Sequence, residues 1–401
     1  MRPFSTLLSF EEAQRIIDAN IEPIIRVETI NLYDCLNRTL AQDVIATRNT
    51  PPFDRAAVDG YALKARDTFS VSRQNPKFFN IVDVIYAGAM PKKKLSSGEC
   101  IQIATGAKMP KGADAVVMIE DVSQEDGQIK VIKSVYPKAN VAPKGEDIRK
   151  GELVLKEGSI LDPAKIGVLA SQGISRISVY QKPKIAIIPT GEEIGEVGKR
   201  LKQNQIYDIN SHTISAVVKD NGCLPIRFNI ISDNIQEIRA AIEEALKADL
   251  AVFTGGSSVG EKDLLFGILE ELGDVFFHGI QIKPGKPTMF ALVKSKPILG
   301  MPGYPTSCLI NAYLLLLPAL RKMARLPLKR RLTADAILGE RVPGSIGRRQ
   351  FLPVKVEENK AIPIFKESGA ITGTAKADGY IIINENIDIL EKGEPVTVTL
   401  F

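Results

Sequence analysis

The sequence predicts a multi-domain α/β plus β protein: a central doubly wound α/β domain, a β-rich inserted domain and a C-terminal β-barrel-like domain. Three observations predict it. The chain is 401 residues long, and at roughly 100 to 200 residues per domain this implies several units rather than one core. From Lys184 onward, short β-branched apolar runs alternate with amphipathic helical patterns, as in a parallel sheet with helical crossovers. Before and after that region the runs are strand-like and broken by Gly and Pro.

Taken in order, Ser9 and Glu12 make a capping box that opens an amphipathic helix around Phe10, Ala13, Ile16 and Ile17. No basic segment followed by an apolar run precedes it, so no export signal is expected. Pro51 and Pro52 begin a β-rich unit in which FFNIVDVIYAGAM, ECIQIATGAKM and DAVVMIEDV read as strands. After the turn-rich NVAPKGEDIRKGE, DPAKIGVLASQGI reads as a helix that rejoins the first fifty residues. This sets out residues 1–48 with 144–180 as an N-terminal linker domain and 49–143 as the insertion. In the α/β domain, 181–328, KIAIIPT (184–190), LPIRFNII (224–231) and DLAVFTG (249–255) are strands. Between and after them come a helix capped near Asn210 or Ser211 and ended by Gly222, one with Ile235, Ile238, Ala241, Ile242 and Leu246 on one face, and one over 263–273. Two more strand-like runs precede a last helix after Pro305. In the tail, 329–401, FLPVKV, GYIIIN and EPVTVTLF are strands and no helix is expected.

Composition narrows the chemistry. Apolar residues are 44% and charged residues 25%, and the net charge is +5, which suits a globular protein with an anionic small ligand better than a nucleic-acid binder. The run RKMARLPLKRR lacks interleaved aromatics and reads as a solvated helix end and linker. Cys35, Cys100, Cys223 and Cys308 lie dozens of residues apart, as buried thiols in a reducing cytoplasm would. Besides them only His212 and His278 offer soft or borderline ligands, so any metal must be hard and oxygen-bound, such as Mg²⁺. The longest apolar run, Cys308 to Leu317, is too short to span a bilayer and reads as a buried helix.

In a doubly wound sheet, ligands bind at the carboxyl ends of the strands. Thr190, Gly191, Glu192 and Glu193 follow the first strand, Asp233 the second, the TGGSSVGEKD loop the third, and Met301 to Pro305 a later one. Within the loop that starts at Thr254, Gly255, Gly256 and Gly260 allow close backbone approach, and Ser257 and Ser258 add hydroxyls. Asp263 opens the following helix, as an N-cap or as a ligand for Mg²⁺. The loop matches neither the P-loop nor the dinucleotide fingerprint. Lys283 and Lys286 are stiffened by Pro284 and Pro287, as a solvated turn or an anion site. Pro302, Gly303 and Pro305 precede a helix with Ser307 in its first turn. In the β-rich half, PPFDRAAVDGYAL places Asp54, Arg55 and Asp59 on a Pro-anchored loop with Asp59-Gly60 as a turn, and Thr105-Gly106 makes a second turn.

In this order, PPFDRAAVDGYA, IATGAKMPKGADAVV, PTGEEI, TGGSSVGEKD, IKPGKP and GMPGYPTS resemble the molybdopterin molybdenumtransferase family, the MoeA-like proteins related to the gephyrin E domain. The likeness spans nearly the whole chain, and GRRQFLPV and AKADGYI resemble that family's C-terminal domain. Val58 stands where the family usually has Met. Tyr304 replaces a commoner Asn, which removes an amide that could touch ligand.

The resemblance implies a homodimer whose α/β domain faces the β-rich domain of the partner subunit. It implies hydrolysis of the phosphoanhydride of adenylylated molybdopterin, with Mg²⁺ and molybdate or tungstate, and release of AMP. Asp59, Thr105, Glu193, Asp233, Asp263, Pro302 and Pro305 fall on the family's functional positions. Glu193, Asp233 and Asp263 would be near the metal, and Lys283, Lys286 and Ser307 near phosphate or molybdate. Molybdopterin adenylyltransferase and recipient molybdoenzymes are the implied protein contacts, with no membrane or nucleic acid. Two rival readings are the adenylyl transfer itself, against which the extra domains argue, and a non-catalytic scaffold, which would have lost the carboxylates that are present here.

Overall fold

The structure, a computed structural model, describes residues 7–255, 264–367 and 369–401. It divides into two compact bodies. One comprises residues up to Glu28, Asn37–Thr39 and Tyr180–Phe401, and the other Thr29–Leu36 and Leu40–Val179. Helix α1, Phe10–Ala19, belongs to the first body. It starts where the capping box requires: the Glu12 amide donates to Ser9 Oγ at 3.3 Å and the Ser9 amide to Glu12 Oε2 at 3.0 Å.

The second body has a six-stranded sheet made of β1 (Gly60–Leu63), β2 (Lys77–Ile85), β3 (Glu99–Ile103), β4 (Ala115–Met118), β5 (Val122–Glu125) and β6 (Gln128–Val131), ordered β4-β1-β3-β2-β6-β5. A separate core joins Cys35, Leu40 and Val44 to Leu155, Leu169 and Val179. Helix α2, Pro163–Ser171, packs there, with Asp162 as N-cap and Pro163 in the first turn.

The first body is built on a second six-stranded sheet. Its members are β7 (Lys184–Pro189), β8 (Leu224–Arg227), β9 (Leu250–Thr254), β10 (Asp274–His278), β11 (Met289–Val293) and β12 (Lys296–Met301), ordered β8-β7-β9-β12-β11-β10. The four strands β8, β7, β9 and β12 run parallel, with Ile185, Ile187, Val252 and Phe253 fully buried. The expected parallel sheet is therefore mixed at one end, because β11 and β12 form a hairpin through Lys294 and Ser295, both at positive φ. Helices cover both faces: α3 (Asn210–Asp220) and the last helix on one, α4 (Ile235–Ala245) and α5 (Leu264–Leu272) on the other. Ile235, expected on the inner face of α4, is 49% exposed. The run 224–231 is shorter as a strand than expected, ending at Arg227, and Ile231 rejoins only as a bridge to Thr190.

The last helix begins as α6, Pro305–Asn311, widens into a π turn over Ala312–Leu316 and continues as α7, Leu317–Met323. Pro318 lacks an N–H, so the Leu314 carbonyl has no partner at the usual four-residue spacing. Gln14 of α1 supplies one, Nε2 to carbonyl at 3.1 Å. Gln14→Ala is expected to cost about 1 kcal/mol, and less in a Pro318→Ala background; urea unfolding of the double-mutant cycle checks the coupling.

The tail closes a five-stranded barrel from β13 (Thr333–Leu338), β14 (Arg349–Glu357), β15 (Lys360–Pro363), β16 (Gly379–Ile383) and β17 (Pro395–Leu400), in the ring order β14-β15-β13-β17-β16 and back to β14. The tail also holds one unexpected helix, α8, Ile371–Lys376. Its six residues are too few for a periodic apolar pattern to show. All four cysteines are free and buried, and burial pushes the thiols of Cys100 and Cys223 up to about 12. Among the described residues no helix is long and apolar enough to cross a membrane.

Candidate active site

Strand register brings three loops into line. Pro189 lies opposite Thr254, and Thr254 opposite Met301, so the loops that begin at Thr190, Gly255 and Pro302 leave adjacent strand ends. The fourth joins through the Ile231 bridge, where the Gly191 amide donates to the Ile231 carbonyl at 3.1 Å. Gly255 sits at φ +108°, and a Cβ there would lie 2.5 Å from the Thr190 carbonyl oxygen. Only glycine lets these two loops approach so closely. The hydroxyls of Thr190 and Thr254 are buried and have no hydrogen-bond partner among the described residues. Buried hydroxyls are normally satisfied, so two orphans at one strand edge mark a place for a polar ligand.

A third orphan stands beside them. Asn210, in the first turn of α3, donates from Nδ2 to the Gly303 carbonyl at 2.8 Å, and its Oδ1 is buried without a partner. The carbonyl can only accept, which fixes which way the amide faces. Asn210 is thus not the helix cap that its position suggests. Asp208 has that role, accepting from the Ser211 amide at 3.0 Å and contacting the Ser211 hydroxyl. Pro302, Pro305 and Ser307 are buried. Tyr304 is 67% exposed, so a carboxamide does reach this turn, but from Asn210 rather than from position 304.

The Lys283 to Pro287 turn packs on the same last helix. Gly285 lies at φ +108°, and a Cβ there would come within 2.4 Å of the Asn311 side chain. Asn311, one turn after Ser307, donates from Nδ2 to the Gly285 carbonyl at 3.1 Å and to Thr288 Oγ1 at 2.5 Å. Lys283 Nζ donates to Ser345 Oγ at 2.9 Å, and that hydroxyl donates to Gln350 Oε1 at 2.9 Å. This ammonium, although exposed, is therefore held by Ser345, which is itself bonded to Gln350 of the tail, with two protons left for a ligand. Lys286 is partly exposed.

The expected acids are only partly visible. Glu193 and Asp233 are exposed at the ends of their loops. Asp263, with Gly256, Ser257, Ser258 and Gly260, lies outside the described residues. Among the described residues no three His, Cys, Asp or Glu side chains gather as a metal site. The donors at this edge are hydroxyl, carboxamide and carboxylate oxygens, a set that fits a hard cation such as Mg²⁺.

The other body pairs Asp59 with Thr105. Asp59 Oδ1 accepts from the Thr105 amide at 2.7 Å and from its hydroxyl at 3.0 Å. Gly60, expected in a turn with Asp59, instead opens β1, where a Cβ would lie 2.0 Å from the Val117 carbonyl. Thr105-Gly106 is a turn, with Gly106 at φ +81°. The two Thr105 bonds lower the Asp59 pKa, the amide first. A depressed pKa means the carboxylate supports the turn above the usual aspartate range, and that support is lost as pH falls through the lowered value. Protection of the Thr105 amide, measured against the exchange rate of an unstructured peptide at the same pH, should fall in that window, and Asp59→Asn should remove that fall.

Comparison with known proteins accounts for both bodies. Models of the MoeA N-terminal region (domain I and II), a probable molybdopterin binding domain and the MoeA C-terminal region (domain IV) match residues 8–173, 186–322 and 335–401. Molybdopterin molybdenumtransferases of Haemophilus influenzae and Bacillus subtilis are 33% and 34% identical, over 94% and 93% of this chain and 94% and 89% of their own. The chain belongs to the MoeA family. It is an enzyme of molybdenum cofactor biosynthesis. A putative molybdopterin biosynthesis protein of Methanocaldococcus jannaschii is 35% identical over the whole of both chains. A crystal structure of a MoeA protein from Pyrococcus horikoshii superposes with a TM-score of 0.86 at 40% identity, covering 98% of this chain and 99% of that one.

Within this MoeA-family chain, the edge of the α/β sheet gathers Thr190, Gly191, Thr254, Gly255, Pro302 and Gly303, and Asp59 and Thr105 meet in the other body. Asn210, Asp208 and Asn311 were missed as site residues. The signals were present: an Asp-x-Asn at the entry to a helix, and a lone amide inside the apolar run CLINAYLLLL.

Proposed function

We propose that this MoeA-family enzyme inserts molybdate, or tungstate of nearly the same size and charge, into adenylylated molybdopterin, with Mg²⁺-dependent hydrolysis of the phosphoanhydride and release of AMP. The observation that most supports this is the group of three buried orphans, Thr190, Thr254 and Asn210, beside Gly255 at the sheet edge. Orphan hydroxyls suit phosphate or oxyanion oxygens, and an orphan carboxamide oxygen suits a ring N–H of a pterin.

In this reading Gly191, Gly255, Gly256, Gly260 and Gly303 let the diphosphate approach the backbone, and Thr190, Thr254, Ser257 and Ser258 donate to it. Lys283, Lys286 and Ser307 bind phosphate or molybdate, with Pro302 and Pro305 holding the last loop rigid. Glu193, Asp233 and Asp263 would hold Mg²⁺, which supplies charge neutralisation across the anhydride. Hydrolysis consumes one water and breaks one P–O bond, AMP and molybdopterin taking its atoms; in the insertion two Mo–S bonds form to the dithiolene thiols while one Mo–O bond breaks, that oxygen leaving with both thiol protons as water and the metal keeping its oxidation state. Asp59 and Thr105 complete the site from the partner subunit of a homodimer. The cytoplasm, where molybdopterin adenylyltransferase and recipient molybdoenzymes would be met, is the compartment this implies.

Purified protein with Mg²⁺ and molybdate should release AMP from adenylylated molybdopterin, and omission of either ion or Asp263→Ala should stop it. No release by the wild type, or full release by Asp263→Ala, overturns the reading. Titrating molybdate against tungstate in the same assay identifies the oxyanion.

A further inference from the structure

A cavity of about 560 Å³ opens where α3, the last helix and the barrel meet, within the usual range of roughly 300 to 1,000 Å³ for small-molecule sites. The face of α3 along it carries Thr213, Ala216 and Val217, side chains too small to fill the space. Opposite stand Tyr313, Tyr380 and Phe401, whose rings cluster at 5.2 Å (Tyr313 to Phe401) and 5.7 Å (Tyr380 to Phe401). Such a floor offers flat apolar contact to an aromatic or aliphatic body.

The mouth is basic. Lys329, Arg330 and Arg331 line it, the end of the run that the sequence left as a linker. Asp220 pairs with Lys329 at 2.5 Å. Arg330 and Arg331 are exposed, and neither makes an ion pair among the described residues. Burial raises the pKa of Tyr380, and the charge of Arg331, which lines the same cavity, opposes the rise. The mouth is also remote from the sheet edge: Asp220 closes the helix that Asn210 opens, roughly 15 Å away at 1.5 Å per residue.

We infer that this cavity is a second ligand site, for a small amphipathic organic anion whose apolar body lies on the Tyr313, Tyr380 and Phe401 rings and whose carboxylate, sulfonate or phosphate meets Arg330 and Arg331. The inference is independent of the reaction assigned to the sheet edge. Two unpaired guanidinium groups above an aromatic floor select for charge at one end of the ligand and against it at the other.

Anilinonaphthalene sulfonate has this chemistry and reports binding by fluorescence. The full-length protein should bind it at one saturable site per chain, with affinity falling about tenfold in Arg330→Glu/Arg331→Glu, the loss of one charge-assisted contact. Ala216→Trp, at an exposed helix position, should fill the cavity and abolish binding. Neutral N-phenylnaphthylamine should bind more weakly than the sulfonate, and AMP with molybdate should not displace the dye. Non-saturable binding, unchanged affinity in the arginine variant, equal binding of the neutral dye or displacement by AMP overturns the site. Should Ala216→Trp misfold by circular dichroism, the exposed arginine pair and the neutral dye decide the matter.

Discussion

Gly255→Ala should lose AMP release by roughly a hundredfold or more, the effect of displacing reacting groups by about 1 Å. The added methyl would lie 2.5 Å from the Thr190 carbonyl, at a φ of +108° that L residues rarely adopt. Part of the cost falls on folding, about 1 to 2 kcal/mol for the backbone conformation. The larger part falls on the site, because the Thr190 and Thr254 loops separate and their two buried hydroxyls no longer face one ligand. Gly303→Ala should be milder, since the nearest atom to its Cβ is the Gly255 Cα at 3.8 Å. Steady-state AMP release and thermal unfolding of the two variants distinguish the cases. Equal activity of Gly255→Ala and wild type would show that the edge is not where the diphosphate binds.

The second large effect concerns the two bodies. Asp59→Ala and Asp263→Ala should each be inactive, yet co-expression should restore about one quarter of wild-type activity. Random pairing makes half the dimers mixed, and each mixed dimer has one intact site of two. Asp59→Ala should still fold, because the carboxylate is exposed and its bonds go only to Thr105 of the neighbouring turn. Absence of any recovery in dimers isolated with two different affinity tags would place Asp59 and Asp263 in sites that are not shared, leaving the assignment of the reaction itself to the AMP assay.

Much of the architecture was legible because burial imposes a period on sequence. The β-branched runs at 184–190 and 249–255 became β7 and β9, both enclosed by helices. FLPVKV, GYIIIN and EPVTVTLF became three of the five barrel strands. Shortfalls came where a contact distant in sequence overrides the local pattern. Phe228 to Ile230 leave the sheet although they continue a strand-like run. Asp59-Gly60 looks like a turn by composition, but Gly60 is required by the Val117 carbonyl of the neighbouring strand.

By itself the sequence determined the family, the order of strands and helices in the α/β domain, the capping box at Ser9, and the polar types at the strand ends, since all of these depend on residue identity and spacing along one chain. Only the tertiary structure decided which polar groups are left unsatisfied. Asn210 and Asn311 have the same side chain at the start and end of short helical segments, yet one holds Gly303 and the other clamps the Gly285 turn. It also decided that Lys283 is anchored by Ser345, and that the basic residues Arg330 and Arg331 stand over an aromatic cavity. Hydrogen-bond satisfaction and cavity shape depend on atoms brought together from distant parts of the chain, and no local period encodes them.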